Sequence, residues 1–367
     1  MDAERLIRVR VKGFKSIKNC VVELGKTNVL IGSNGAGKSN FISIFTFLQS
    51  IITENLQYYA GQQGMSSLFY LSPKYTEAIE MAFYFGGSVG KNSYEFELVP
   101  SADGRLIFRN EYFAYHGAWE YKKSIAAGNA ESMWKKGTGN YTDDYIKPIL
   151  EHLSWRVYHF HDTGSNSRMK QEHNVSNCEV LMQDASNLAA FLYRLKENYE
   201  KEYREIVRTI RLVAPFFDDF ILKPQEKNSE LIVLRWRQKG CEDVFNVSQL
   251  SDGTLRFICL AVLLLQPKEL QPATIIIDEP ELGLHPYAIT MLAEIIHQVS
   301  TEKQIIISTQ SVELLNEFDP EDVIVVDRGE DGSEFKRLNA QELETWLKED
   351  YALGDLWKMN LIGGRLS

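Results

Sequence analysis

Apolar and polar positions alternate from Leu6 to Leu24 on both sides of Gly13, a pattern that predicts two β-strands joined by a turn at that glycine. The next apolar run, TNVLI at 27–31, lacks alternation and reads as a buried strand. From Asn40 to Gln57 the apolar residues take helical spacing, so the loop Gly32–Ser39 separates a strand from a helix. Residues 77–113 hold the β-like runs AIEMAFYF, YEFELV and LIFRNEYF, divided by Gly- and Ser-bearing breaks, and predict an antiparallel sheet. The stretch 117–150 is polar, glycine-punctuated and the least patterned part of the chain.

WRVYHF (155–160) predicts a further strand, and Asn187 to Val213 is helical. Charges of both signs along YRLKENYEKEYREIVRTIR favour a solvated helix face over a nucleic-acid surface. ELIVLRW reads as a strand and Thr254–Leu265 as a helix. ATIIIDEP (273–280), KQIIIST (303–309) and EDVIVVDR (321–328) are short and apolar, as parallel strands covered on both faces are. The helix at 287–300 falls between two of them, which is a βαβ rhythm. Heptads and repeats are absent, so no long coiled-coil arm is expected.

Bulk composition narrows the function classes. A chain of 367 residues, 44% hydrophobic and 25% charged, suits one large or two modest globular domains. Its net charge of −10 argues against general attraction to nucleic acid or anionic membrane. Contact with DNA would need a local patch, for which the pairs Lys122-Lys123 and Lys135-Lys136 are the candidates. The N-terminus has no signal-peptide core, and the longest apolar run, Phe257–Leu265, is too short to cross a bilayer. A soluble cytoplasmic protein with no membrane partner is the expectation. Cys20, Cys178, Cys241 and Cys259 form no C-x-x-C pair and read as reduced thiols.

Three segments carry chemistry. GSNGAGKS, Gly32–Ser39, matches the phosphate-binding loop G-x-x-x-x-G-K-[ST] and lies between a predicted strand and a predicted helix. Gly32, Ser33, Asn34, Gly35, Ala36 and Gly37, with Asn40 behind them, would wrap phosphates in backbone amides. Lys38 would reach the β- and γ-phosphates of ATP, and Ser39 would ligate Mg²⁺. In TIIIDEP, Asp278 ends a buried strand, where a carboxylate can meet the same Mg²⁺. Glu279 beside it can orient and deprotonate the attacking water. The third segment, LSDGT at 250–254, opens a helix with a hydroxyl and backbone amides and suits an anion, although the same residues would make an ordinary N-cap.

With a P-loop ahead of it and D-E behind it, LSDGTLR resembles the signature motif of the ATP-binding-cassette (ABC) superfamily, and Pro280–His285 occupies the position of its D-loop. The resemblance implies that Ser251 and Gly253 hold the γ-phosphate bound to the P-loop of a second copy, in an ATP-linked head-to-tail dimer. VKGFKSIKNCVVEL before the P-loop resembles the RecF/SMC branch, and the short spacing to the signature resembles small stand-alone ATPases related to the overcoming-lysogenization-defect (OLD) nucleases. VYHFHDTGSNSRMK, DASNLAAFL and YALGDLWKMNLIGGRL resemble the members of that group encoded in bacterial defence gene pairs.

That resemblance implies an α/β fold of the ABC-ATPase head type. A β-rich N-terminal lobe with the P-loop is expected over 1–116, a mainly helical insertion over 117–215, a parallel-sheet C-terminal lobe over 216–340 and a tail over 341–367. It implies a slow ATPase that signals to DNA or to an effector protein, a nuclease or TOPRIM-type partner, in antiviral defence. A DNA repair or replication-gap ATPase and a non-hydrolysing ATP-dependent scaffold stay open as alternatives. Gln310 stands where the superfamily usually has a histidine on the γ-phosphate, and a glutamine can hydrogen-bond but cannot carry the proton. Chain order puts the Q-loop at His161, Asp162 and Thr163, with Asp162 as a cofactor contact. His285 is either a dimer-seam residue or a helix start. No nuclease constellation stands out, and the tail after Arg328 is too short for the extra nuclease domain of OLD-type proteins.

Overall fold

The computed structural model describes residues 5–87, 90–117, 120–136, 147, 150, 155–349 and 351–364. They divide into two compact units, Met1–Trp155 with Asp319–Ser367, and Arg156–Phe318.

The first unit is built on a sheet whose strands lie in the spatial order Glu120–Ala126, Leu106–His116, Gly90–Pro100, Ile79–Gly87, Arg5–Phe14, Ile17–Glu23, Gly332–Arg337, Val323–Gly329 and Thr27–Ile31. Its pairs are antiparallel up to the last, where Val323–Gly329 runs parallel to Thr27–Ile31 with Val325 opposite Ile31. The expected hairpin turn at Gly13 falls two residues later, at Lys15 and Ser16, with Phe14 paired to Ile17. Gly13 instead sits at φ 77°, where a side chain would collide with the Ala78 carbonyl, so a close backbone approach fixes it.

Helix Lys38–Ile52 follows the strand Thr27–Ile31 and buries Phe41, Ile44, Phe45, Phe47, Leu48 and Ile51. Phe45 meets the edge of Trp155 at 5.5 Å between ring centroids, and Phe83 and Phe85 lie on the same indole. Aromatic packing of this kind holds the helix, and hence the loop before it, in one position. The helix expected to reach Gln57 stops at Ile52. Glu54 takes φ 57°, and a separate helix, Leu56–Gln63, begins with its Leu56 and Gln57 amides on the Glu131 carboxylate, both at 3.0 Å.

The second unit contains three parallel strands in the order Gln304–Thr309, Thr274–Asp278, Arg156–Tyr158, with Ile277 between Ile307 and Tyr158. Helices Asp252–Leu265 and Pro286–Ser300 carry long apolar faces. The helical stretch from Asn187 breaks at Tyr199 into Leu188–Asn198 and Glu200–Val213. The second of these buries Tyr203, Ile206, Val207 and Ile210 and leaves its charges outside, as a solvated face does. ELIVLRW is two strands, not one: Leu231–Ile232 pairs with His173–Asn174, and Arg235–Gln238 joins Phe217–Ile221 and Val244–Asn246.

Among the described residues of 117–215, the strands Glu120–Ala126 and Arg156–Tyr158 precede the two helices, and the segment 137–146 lies outside them. The lysine pairs are partly neutralised: Lys122 reaches Glu95 at 2.7 Å and lies over the Tyr112 ring, and Lys135 reaches Glu54 at 3.1 Å. All four cysteines are free thiols, and burial pushes that of Cys20 up to about 12. Among the described residues no three His, Cys, Asp or Glu side chains cluster as a metal site would need, and no helix is long and apolar enough to cross a membrane.

Candidate functional site: a phosphate loop and a laced pair of strand ends

In the first unit, Ile31 ends its strand and the chain turns through Gly32–Gly37 into the helix that begins at Lys38. Gly35, at φ 81°, forms an open tip with no atom near its missing side chain. Gly37, at φ 122°, faces the Ser333 hydroxyl, and any side chain there would displace it. Lys38 is only 5% exposed, and its Nζ donates to the carbonyls of Gly32 at 2.6 Å and Ser33 at 3.2 Å. The ammonium therefore closes the loop on itself and holds a positive charge at its centre. No side chain caps this helix N-terminus, which is the arrangement a phosphate completes. Asn34, Gly35 and Ser39 are exposed while Ala36 is buried. These residues fit a nucleoside triphosphate with Mg²⁺: an uncapped helix start, a buried cation and an exposed hydroxyl next to it.

A strut behind the loop escapes motif reading. Ser333 donates to the Ala36 carbonyl at 2.6 Å and its Oγ lies 2.7 Å from Ser16 Oγ, which in turn accepts from Asn40 Nδ2 at 2.7 Å. Ser16 and Ser333 stand 317 positions apart and are both buried. The Asn40 side chain thus braces the loop through Ser16. For Ser16 the available signal was the GFKSI stretch; for Ser333 there was none.

In the second unit the ends of two parallel strands are tied by three rungs. The Ser308 hydroxyl donates to Asp278 Oδ1. Gln310 Nε2 donates to Glu279 Oε1. Glu281 Oε1 accepts from Thr309 Oγ1 at 2.6 Å and from the Gln310 amide at 3.2 Å. Glu279 sits at φ 47°, with its amide on the Ser308 carbonyl at 2.9 Å. Left-handed backbone at a glutamate is uncommon and is held here by the pairing around it. Burial pushes the Glu281 carboxyl above its ordinary value. Gln310, expected on a phosphate, directs one amide hydrogen at the neighbouring carboxylate.

His161 Nε2 donates to the Asp278 carbonyl at 2.9 Å, and His159 Nδ1 lies 3.7 Å from Asp278 Oδ2. Burial pulls His159 below the ordinary histidine value against the opposing attraction of that carboxylate. Asp162 is exposed; its carboxylate accepts from the Gly164 amide at 3.2 Å and its carbonyl from the Ser167 hydroxyl at 2.6 Å. Asp278, Glu279, Gln310, His159 and His161 are thereby brought together, while the bonds of Asp162 are local to its own loop.

Ser251 is the N-cap of helix Asp252–Leu265. Its Oγ accepts from the Thr254 amide at 3.1 Å and lies 2.8 Å from Thr254 Oγ1, so the hydroxyl is engaged locally. A hydroxyl that accepts one bond can still donate its proton to an anion. A side chain on Gly253 would strike the Gly283 carbonyl, so the turn at the start of helix Asp252–Leu265 packs directly on the loop after Glu279. His285 caps helix Pro286–Ser300 through Nδ1, accepting from the Tyr287 amide at 3.3 Å, and is a helix-start residue.

Arg256 joins these parts. Its guanidinium donates to the carbonyls of Leu282 at 2.8 Å, His161 at 2.9 Å and Phe160 at 3.3 Å, and to Thr163 Oγ1 at 3.3 Å. One planar fork with five donors can serve four acceptors; a lysine cannot. Arg256→Lys is accordingly expected to destabilise the protein by about 2 kcal/mol or more in urea unfolding, since charged hydrogen bonds contribute about 1.5–3 kcal/mol each. A loss under about 0.5 kcal/mol, the range of an ordinary surface change, would show that the fork is dispensable.

A family model described as "AAA domain, putative AbiEii toxin, Type IV TA system" matches residues 27–316. The Old nuclease of Escherichia phage P2 is 25% identical over 388 residues, covering 94% of this chain; the chain spans 63% of that relative's length. An Smc head bound to the C-winged helix domain of ScpA is similar at TM-score 0.61 and 18% identity, over 92% of this chain and 99% of that one. The Smc head from Pyrococcus furiosus, bound to the C-terminal domain of ScpA, is similar at TM-score 0.58 and 17% identity, over 94% and 99%. The SMC head from Thermotoga maritima gives TM-score 0.51 at 14% identity, over 91% and 99%. The mixed α/β fold is that of SMC-type ABC-ATPase heads.

Proposed function

Since the chain belongs to the family of AAA domains described as putative AbiEii toxins of type IV toxin–antitoxin systems, we propose that it binds ATP with Mg²⁺, hydrolyses it slowly, and pairs head to tail with a second copy while the triphosphate lasts. The observation that carries nucleotide binding is Lys38, buried and folded onto the carbonyls of its own loop at an uncapped helix start. In this reading Lys38 and the loop amides hold phosphates, Ser39 supplies a hydroxyl ligand to the cation, and Asp278 supplies a carboxylate ligand. Bound Mg²⁺ would contribute charge neutralisation on the phosphate oxygens. Glu279 takes the proton of the attacking water, and Gln310 orients Glu279. Because a glutamine carries no proton, turnover is expected below the roughly 10 s⁻¹ typical of enzymes.

Pairing gives Ser251 and Gly253 their role, since the helix start they form completes the γ-phosphate site of the second copy. The conformational output passes to DNA or to an effector, a nuclease or TOPRIM-type protein, in antiviral defence within the cytoplasm. The descriptions of the relatives support an effector role: one is named a nuclease, the family description names a toxin, and two of the Smc heads are bound to ScpA.

The deciding experiment is the solution mass of Glu279→Gln with and without ATP and Mg²⁺, beside the same variant carrying Ser251→Arg. ATP is expected to double the mass of the first and leave the second monomeric, with thermal melting showing both folded. A mass indifferent to ATP, in protein that binds the nucleotide, would remove the pairing.

A further inference from the structure

We propose that Glu281 is a positioning residue for ATP hydrolysis, acting through Gln310 to hold the Glu279 carboxylate. The inference rests on the reading above that Glu279 activates water. Glu281 Oε2 is enclosed and has no hydrogen-bond partner among the described residues. Burying a carboxylate in that state is unfavourable, and an apolar side chain of the same length would avoid it. What the carboxylate supplies in return is Oε1, which accepts two bonds from adjacent residues of one strand end: Thr309 Oγ1 at 2.6 Å and the Gln310 amide at 3.2 Å.

Those two bonds fix the backbone where the strand Gln304–Thr309 ends. Gln310 is the first residue beyond it, and a long side chain leaving an unfixed backbone would sample many rotamers. With its amide pinned by Glu281, Gln310 brings Nε2 onto Glu279 Oε1. Glu279 is held from the main-chain side as well, by its own amide on the Ser308 carbonyl. The path Glu281–Gln310–Glu279 therefore runs through residues 281, 310 and 279 as one chain of hydrogen bonds. Glu281 does not itself touch the reacting atoms in this scheme. A misplacement of about 1 Å from a residue away from the chemistry can cost about 10²-fold in rate, which sets the scale of the effect.

Steady-state phosphate release is measured for the wild type, Glu281→Met, Glu281→Gln, Thr309→Val, Gln310→Ala and the double variant Glu281→Met/Gln310→Ala. Nucleotide affinity and thermal melting are recorded for each. Glu281→Met is expected to lower kcat by about 10- to 100-fold with KM within about 3-fold of wild type. Glu281→Gln keeps an acceptor oxygen and should recover most of that loss. Thr309→Val, a near-isosteric change, should fall in the same direction by a smaller factor and serves if the methionine variant does not fold. In the double variant the two losses should not multiply, because both break one chain of bonds.

A Glu281→Met or folded Thr309→Val enzyme with wild-type kcat overturns the inference, as do losses that multiply in the double variant or a change confined to KM. If the wild type releases no more phosphate than Glu279→Gln, the hydrolysis reading falls and this inference falls with it. If the wild type turns over and Glu281→Met matches it, the inference falls alone.

Discussion

Lys38→Ala is expected to weaken ATP binding by about 100-fold. The side chain is buried with its ammonium held by the Gly32 and Ser33 carbonyls, so removal takes away a desolvated charge and opens the loop it closes. A hydrogen bond to a charged group contributes about 1.5–3 kcal/mol, and two such contacts toward phosphate correspond to roughly two orders of magnitude in affinity. Titration calorimetry with ATP and Mg²⁺ measures this directly. The fold should survive, since the helix behind the loop is anchored by Phe41, Phe45, Phe47 and the Trp155 indole rather than by Lys38. Affinity within a few-fold of wild type, in folded protein, would move the phosphate site away from Gly32–Ser39.

Glu279→Gln should lower turnover by about 10²- to 10³-fold and leave ATP affinity within a few-fold of wild type. General-base catalysis contributes about 10²–10⁴-fold, and the substitution removes the basic oxygen while keeping the length of the side chain. The amide oxygen of the new residue can still accept from Gln310 Nε2, and the main-chain bond from residue 279 to the Ser308 carbonyl is untouched. The local structure, including the left-handed backbone at 279, should therefore persist and the loss should be chemical. Single-turnover phosphate release separates this from slowed product release. Turnover within about 3-fold of wild type would require another base, and Asp278, tied to the Ser308 hydroxyl, would be the next to test.

Much of the framework was legible because it is local. The TNVLI run became the strand Thr27–Ile31 as read, and the apolar runs before Asp278 and at 304–309 became parallel partners. Their composition states that both faces are covered, which is what a parallel strand requires. The loop and its lysine were legible for the same reason: glycine spacing and a following helix lie within a dozen residues. The errors were local too. Gly13 looked like a turn because glycines make turns, yet it serves a close contact with the Ala78 carbonyl, and the turn went to Lys15 and Ser16. ELIVLRW looked continuous because its apolar run is unbroken, although its two halves pair with different strands.

What the amino-acid order determined by itself was which residues could do chemistry: a P-loop, the neighbouring carboxylates Asp278 and Glu279, and a helix start at Ser251 able to face an anion. What only the tertiary structure decided was how those groups are spent and braced. Gln310 turns to Glu279 across 31 positions of chain, Ser333 supports the loop across 297 positions through the Ala36 carbonyl, and the Arg256 fork gathers carbonyls 95 positions away. Ser251, free to take an anion in the sequence, is also the cap of its own helix. The reason is physical. Motif spacing encodes distances set by one helix or one loop, whereas these bonds join segments far apart in the chain: Ser333 depends on strand register, where a shift of one residue would turn it to the opposite face, Gln310 on where its strand ends, and Arg256 on how its helix packs.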